Sequence, residues 1–264
     1  MAESGGGPGV GNAMSDDIVI SLTSFGERLA LAHLAVESLL RQRLRADRVV
    51  LCVPVSYRAQ AEANPLLLRQ QERGLSIRYC AKDYGPFTKY FYTMQDWPDS
   101  LVVTVDDDMI YPADMLDRLY AAYRRQPEAI HCHRGHGIRR RRGRLRPYKQ
   151  WEWNTPSTQA SLDIFPTGVG GVMYFPGSLH PDAFNDRLFS TLSPQADDVW
   201  LKAMSLLRDT PCRVVPRYLP WRVRFVPIKG SQAFALKRLN KHRRLGNDAK
   251  LARTLAWYGV GAGP

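Results

Sequence analysis

The chain has 264 residues, 44% of them hydrophobic and 23% charged. That is enough apolar material for one moderate domain whose core needs no disulfide staple. Its four cysteines form no CxxC pair and read as buried thiols of a reducing compartment. No apolar run approaches the length of a membrane span, and the start lacks the basic and apolar parts of a secretory signal, so a cytoplasmic protein is expected. The net charge of +12 favours anionic partners.

Residues 1–16 are rich in glycine and small polar residues and read as a disordered tail. Ile18 to Leu22 is a β-branched run with a buried-strand pattern. Residues 27–43 place apolar side chains at helical spacing. Val49 to Val55 predicts a second strand, 64–73 a helix stopped by Gly74, and Leu75 to Cys80 a third strand. Residues 87–96 look helical. Leu101 to Val105 is a strand running into Asp106-Asp107-Asp108. Pro112 suits the first turn of a helix reaching about Arg125. Residues 129–139 and 144–153 predict two strands around a turn at Arg142-Gly143, an acceptor-side hairpin whose tip carries six arginines between 139 and 146. Thr167 to Phe175 is a glycine loop entering a strand. Ser193-Pro194 is expected to open a helix to about Leu207, and a basic, apolar helix ends the chain. Alternating strands and helices predict an α/β fold with a parallel sheet, in which ligands bind beyond the carboxyl ends of the strands. Residues 17–110 read as a nucleotide-binding half and 111–264 as an acceptor half of one domain.

The aspartates stand at such a strand end. Three adjacent carboxylates repel one another, and a hard divalent cation such as Mn²⁺ or Mg²⁺ relieves that repulsion while accepting phosphate oxygens. A solvated acidic cap on the following helix is the plainer alternative. Asp197-Asp198, near a helix start, suit either the helix dipole or a general base. Trp200 beside them suits the core or a sugar face. Thr167-Gly168-Val169-Gly170-Gly171 permits close backbone approach. In His131-Cys132-His133, strand alternation puts the thiol on the face away from the imidazoles, which argues against a metal tract.

Together the segments ISLTSFGERL, DYGPFTKY, VVTVDDDMIYP, HRGHGI, PTGVGGVMYFP and ADDVW resemble the bacterial GT-A glycosyltransferases. They are similar to the family 2-type enzymes of polysaccharide and lipopolysaccharide gene clusters. The resemblance spans about Ile18 to Leu207 and implies a Rossmann-like mixed sheet flanked by helices. It implies that Thr23, Ser24 and Arg28 contact the nucleotide, with Asp83 and Lys89 near the base or phosphates. Asp106 would face the ribose, Asp108 the metal, and Asp107 either. Gly170 and Gly171 would line the sugar. Asp198, or else Asp197, would be the base of an inverting transfer. The donor would be a nucleoside diphosphate sugar, with a UDP-sugar expected, and the acceptor a glycan or lipid-linked glycan. Many such enzymes give a C-terminal histidine to the metal; His242 is the candidate, although KHRR also suits a basic surface.

The arginine run is not part of that pattern. It suits a solvated face or peripheral contact with an anionic inner membrane surface. Nucleic acid is disfavoured, since no recognition motif accompanies the charge. Two other readings compete: a non-catalytic protein binding anionic surfaces, and a sugar-nucleotide nucleotidyltransferase. The latter normally carries a glycine-rich basic loop where SLTSFGER stands.

Overall fold

The computed structural model describes residues 7–230 and 246–260. Seven strands form the central sheet: β1 (Ile18–Thr23), β2 (Arg48–Pro54), β3 (Leu75–Cys80), β4 (Leu101–Thr104), β5 (Ile130–Cys132), β6 (Val172–Tyr174) and β7 (Cys212–Val214). Their order is β7-β5-β6-β4-β1-β2-β3. β6 runs antiparallel to both its neighbours and every other pair is parallel. The central strands β1, β2 and β4 read as nearly continuous apolar runs because the middle of the sheet is covered on both faces. In β1, Ile18, Ile20 and Leu22 enter the large core beneath the first helix, while Val19 packs with Val50, Cys52 and Cys80 on the other side.

Six helices matter here: α1 (Leu29–Leu40), α2 (Pro65–Gln71), α3 (Met115–Arg125), α4 (Asp186–Leu192), α5 (Asp197–Leu207) and α6 (Asn247–Trp257). α2 starts as its sequence predicts. Pro65 occupies the first turn and the Asn64 side chain accepts the N–H groups of Leu66 and Leu67. The 87–96 helix is split at Tyr92 into Thr88–Phe91 and Thr93–Asp96. Among the described residues no helix is long and apolar enough to cross a membrane.

Three expectations change. Residues 7–16 lie on the domain rather than forming a loose tail: Gly9 donates to Arg73 O, Gly11 to Ala46 O, and Asn12 to Asp47. Val10 rests on Gly74, where a Cβ would approach its Cγ2 to 2.3 Å and where φ is +109°; that position takes glycine for two reasons. Second, 129–153 is no single hairpin. Its first arm is divided between β5 in the central sheet and Gly135–Gly137, which pairs with Ile164–Pro166. Only Arg140–Arg141 and Arg144–Leu145 pair across the turn, with positive φ at Arg142 and Gly143. The central sheet takes the half of the arm that can be buried and leaves the charged tip outside. Third, Ser193-Pro194 closes α4. Gln195, at φ 56°, then turns the chain so that α5 begins at Asp197.

Candidate active site

Strand order reverses between β1 and β4, and a crevice opens beyond their carboxyl ends. Ser21 pairs with Thr104, and Val105 donates to Ser21 O at 2.9 Å, so the chain leaving β1 and the aspartates leaving β4 emerge side by side. Thr23 and Ser24 are anchored to β2: Thr23 Oγ1 donates to Cys52 O at 3.0 Å, and Ser24 N to the same oxygen at 3.3 Å.

Each aspartate has its own surroundings. The Asp106 backbone is clasped by buried Tyr111, whose hydroxyl accepts from Asp106 N at 2.8 Å and donates to Asp106 O at 3.0 Å. Asp107 is 4% exposed and turned into Arg28, whose Nε donates to its Oδ2 at 3.1 Å and whose Nη2 meets its Oδ1. Burial pushes the Asp107 carboxyl up, with Arg28 pulling against it. Asp108 lies 3.7 Å from the same guanidinium. Burial, then repulsion from Asp106, pushes its carboxyl up to about 6. Beyond the triplet, Val226–Pro227 pairs with Met109–Ile110, and Ile228 N donates to Asp108 O at 2.9 Å.

Lys89 is the hub. Its Nζ donates to Asp106 Oδ1 at 2.7 Å and lies 3.0 Å from Asp197 Oδ2, although the residue is only 4% exposed. Burial pulls the ammonium's pKa down, but Asp106, Asp197 and Asp198 outweigh it and the net shift is upward. Asp197 is therefore a buried ion-pair partner. Asp198, the next residue, keeps a partly exposed face and accepts the N–H of Gly168 at 2.9 Å. Burial and the neighbouring Asp197 charge raise its pKa well above the usual carboxylate range.

The glycine loop completes the site. A Cβ on Gly168 would stand 3.1 Å from Asp198 Oδ1 and 3.5 Å from both Asp106 Oδ1 and Lys89 Nζ. The loop residue beside the carboxylates is thus Gly168 rather than Gly170 or Gly171. Gly170 lies under Trp221, where a Cβ would come within 2.5 Å of the indole, and Gly171, at φ +89°, faces Met115 and Leu119.

Other expected residues fall elsewhere. Asp83 turns back on its own loop, accepting Gly85 N at 2.7 Å, at the rim of a cleft of about 350 Å³ lined by Phe25, Tyr84, Phe87, Phe189 and Gln195. Trp200 is fully buried and donates to Ala183 O, so it belongs to the core. His131 and His133 bond to the carbonyls of Gln126 and Met115 and make no metal tract. All four cysteines are free and buried. His242 lies outside the described residues. The sequence did not single out Tyr111, Arg134 or Trp221. Arg134 stands within electrostatic reach of Asp198 and Asp106, and its only sequence signal was its place in HRGHGI.

No group of three His, Cys, Asp or Glu side chains suited to a metal occurs among the described residues. Asp106 and Asp108 nevertheless fit a cation that takes one or two carboxylates and fills its remaining positions with phosphate oxygens and water. The mutual repulsion that raises Asp108 is what such a cation would relieve.

No protein family matches the chain, and no curated protein matches it in sequence. Solved structures do. A mannosyltransferase from Pyrobaculum calidifontis, in complex with GDP-Man and Mn²⁺, superposes with a TM-score of 0.51 at 12% identity, over 97% of this chain and 79% of its own. 4-Diphosphocytidyl-2C-methyl-D-erythritol synthase from Anaerococcus prevotii DSM 20548 gives 0.50 at 13% identity, over 77% of this chain and 90% of its own. The fold is of the GT-A type. At these identities the likeness extends to the fold alone, and the GT-A sheet puts β1 and β4 side by side at the centre of the site described above.

Proposed function

We propose that the chain is a glycosyltransferase that moves a sugar from a nucleoside diphosphate sugar to an acceptor hydroxyl with inversion. The observation that carries this reading is the convergence of Asp198, Asp106 and Lys89 on the backbone of Gly168. A donor-side carboxylate and a base-like carboxylate then face one glycine-floored space.

In this reading the base of the donor lies in the cleft beside Phe25 and Asp83, and its diphosphate reaches towards Asp106 and Asp108. A divalent cation held by those two carboxylates would neutralise charge on the departing diphosphate. Asp198 takes the proton of the acceptor hydroxyl. Burial and the Asp197 charge raise its basicity above that of an ordinary carboxylate, and the Gly168 N–H fixes one oxygen while the other remains for the acceptor. The acceptor oxygen bonds to the anomeric carbon as the bond from that carbon to the phosphate oxygen breaks, and the diphosphate leaves with the electron pair. Lys89 holds Asp106 and Asp197 in register, and Arg28 fixes Asp107, so those groups orient the site without reacting.

The motif resemblance supports a place among the family 2-type enzymes of polysaccharide or lipopolysaccharide synthesis, with a glycan or lipid-linked glycan as acceptor. A UDP-sugar was expected, whereas the mannosyltransferase neighbour carries GDP-Man; competing UDP- and GDP-sugars in one binding experiment separates the two. The test is a thermal-shift panel of nucleoside diphosphates and their sugars, with and without Mn²⁺. A metal-linked rise in melting temperature that Asp108→Asn abolishes is expected. The same rise in wild type and Asp108→Asn would sink the reading.

A nucleotidyltransferase is the second reading, favoured by the synthase neighbour. Against it, the loop after β1 has no free basic cradle, since Arg28 is committed to Asp107. Release of diphosphate from a nucleoside triphosphate and a sugar phosphate would establish it instead.

A further inference from the structure

Among the described residues, Arg134, within electrostatic reach of Asp198, and Arg222, within reach of Arg134, form no ion pair. Arg134 follows β5, and its main chain is tied to the glycine loop: Thr167 N and Oγ1 both donate to Arg134 O, at 3.0 and 3.3 Å. The next residue, Gly168, is the one that donates to Asp198. The Arg134 main chain and the Asp198 carboxylate are therefore held by adjacent residues of the glycine loop. The Arg134 side chain is set from behind, its Nε donating to Asn154 Oδ1 at 2.8 Å. Asn154 is itself held, its N–H bonding to His136 Nδ1 and its carbonyl accepting from Arg217.

Arg222 comes from the short helical turn Trp221–Arg224 and is exposed. Trp221, the residue before Arg222, is stacked on Phe225 at 3.9 Å and has its ring 5.8 Å from the Arg134 guanidinium carbon. Arg28, Arg73 and Arg224 are paired with Asp107, Glu37 and Asp114, whereas part-buried Arg213 and Arg217, like Arg134, bond only to carbonyl or amide oxygens. Among the described residues neither Arg134 nor Arg222 meets a carboxylate within ion-pair distance. Burial lowers the Arg134 pKa and the Arg222 charge adds to that, while Tyr148, Asp198 and Asp106 pull it back up. The Arg134 guanidinium fork nevertheless has no carboxylate of its own to grip among the described residues. A guanidinium fork matches the paired oxygens of a phosphate or carboxylate.

We infer that the Gly168–Asp198 side of the crevice binds an anionic group, a phosphate or a carboxylate, carried by the acceptor sugar and gripped by Arg134 and Arg222. The inference rests on the glycosyltransferase reading of the same site. It assigns the anion to the acceptor because Arg134 and Asp198 are joined through Thr167-Gly168, the side that carries the proposed base.

The full chain, saturated with Mn²⁺ and a nucleoside diphosphate, is titrated calorimetrically with mannose 6-phosphate, glucuronic acid and a neutral methyl glucoside. The phosphate and carboxylate arms separate the two possible anions. At least one anionic sugar is expected to bind about tenfold or more tightly than the neutral one. Arg222→Gln and Arg134→Gln should each remove about tenfold of that preference while nucleoside diphosphate binding is unchanged. Arg222 is exposed, so its variant tests the idea even if Arg134→Gln folds poorly. Equal binding of neutral and anionic sugars overturns the inference, as does an Arg222→Gln variant with the preference intact. Loss of nucleoside diphosphate affinity in both variants overturns it too, by moving the arginines to the donor. Failure of wild type to bind any nucleoside diphosphate refutes the underlying function instead.

Discussion

Asp198 accepts the backbone N–H of Gly168 at 2.9 Å, and that bond joins the start of α5 to the glycine loop before β6. The space above Gly168 is shared with Asp106 and Lys89, and a methyl group there would stand 3.1 Å from Asp198 Oδ1, so that carboxylate would have to give by a few tenths of an ångström. Gly168→Ala should displace Asp198 and lower turnover at least about tenfold, since small misplacements of reacting groups are amplified in rate. Its φ is not in the left-handed region, so the melting temperature should move by only a few degrees. Full activity in the alanine variant would show that the convergence is incidental.

The two aspartates of ADDVW should separate by readout. Asp198→Asn removes the proposed base and should lower turnover about 10²- to 10⁴-fold with nucleotide binding kept. Asp197→Asn should act mainly on stability, because that carboxylate is committed to Lys89. Parallel measurement of turnover and denaturant midpoint checks the division; a reversed pattern would make Asp197 the base.

Lys89 is buried between carboxylates, so Lys89→Met should be severe, about 3–5 kcal/mol, because it leaves uncompensated buried charge. The double variant Lys89→Met with Asp197→Asn should recover part of the loss. Urea unfolding of the four members of the cycle measures the coupling. Additive effects would mean the pair is weaker than its geometry suggests.

Acid should unfold the protein partly through His133 and His136. Burial holds His133 down at about 4 and His136 at about 3, the latter helped by the Arg134 charge. Both pKa values lie below the unfolded value of about 6.5. The unfolded chain therefore binds more protons in this window, and the stability these residues contribute is complete above about pH 6.5. It is lost as pH falls towards 4 for His133 and towards 3 for His136. For His133 this amounts to about 3 kcal/mol. Asp108, raised to about 6, works in the opposite direction between its unfolded value and 6. Urea midpoints from pH 7 to 4 should fall less steeply in His133→Asn than in wild type; an identical slope would refute the assignment.

β1, β2 and β4 were legible because each is a short apolar run whose burial on both faces leaves a local mark, and β3, at the sheet edge, because its apolar and polar residues alternate. So was the aspartate turn, since a strand end is a local feature. Lys89 was ambiguous for the opposite reason: nothing near it in sequence reveals that Asp106 and Asp197 close around its ammonium. Asp106 to Asp108 looked alike as letters, yet Tyr111 takes the backbone of one and Arg28 the side chain of another. The choice of Gly168 over Gly170 and Gly171 depended on which way a tight turn aims its Cα atoms, and spacing does not encode that. The long arms expected around Arg142-Gly143 failed because β5 competes for the same backbone and wins through burial in the central sheet.

The pairing of Val226–Pro227 with Met109–Ile110, and the bond from Ile228 to Asp108, bear on when the protein becomes competent. The aspartate turn leaves the ribosome early, while its clamp is among the later segments to emerge. The clamp comes from residues 226–228, more than a hundred positions after the turn it holds, so the three carboxylates are fully enclosed only when the chain beyond β7 is docked on the turn.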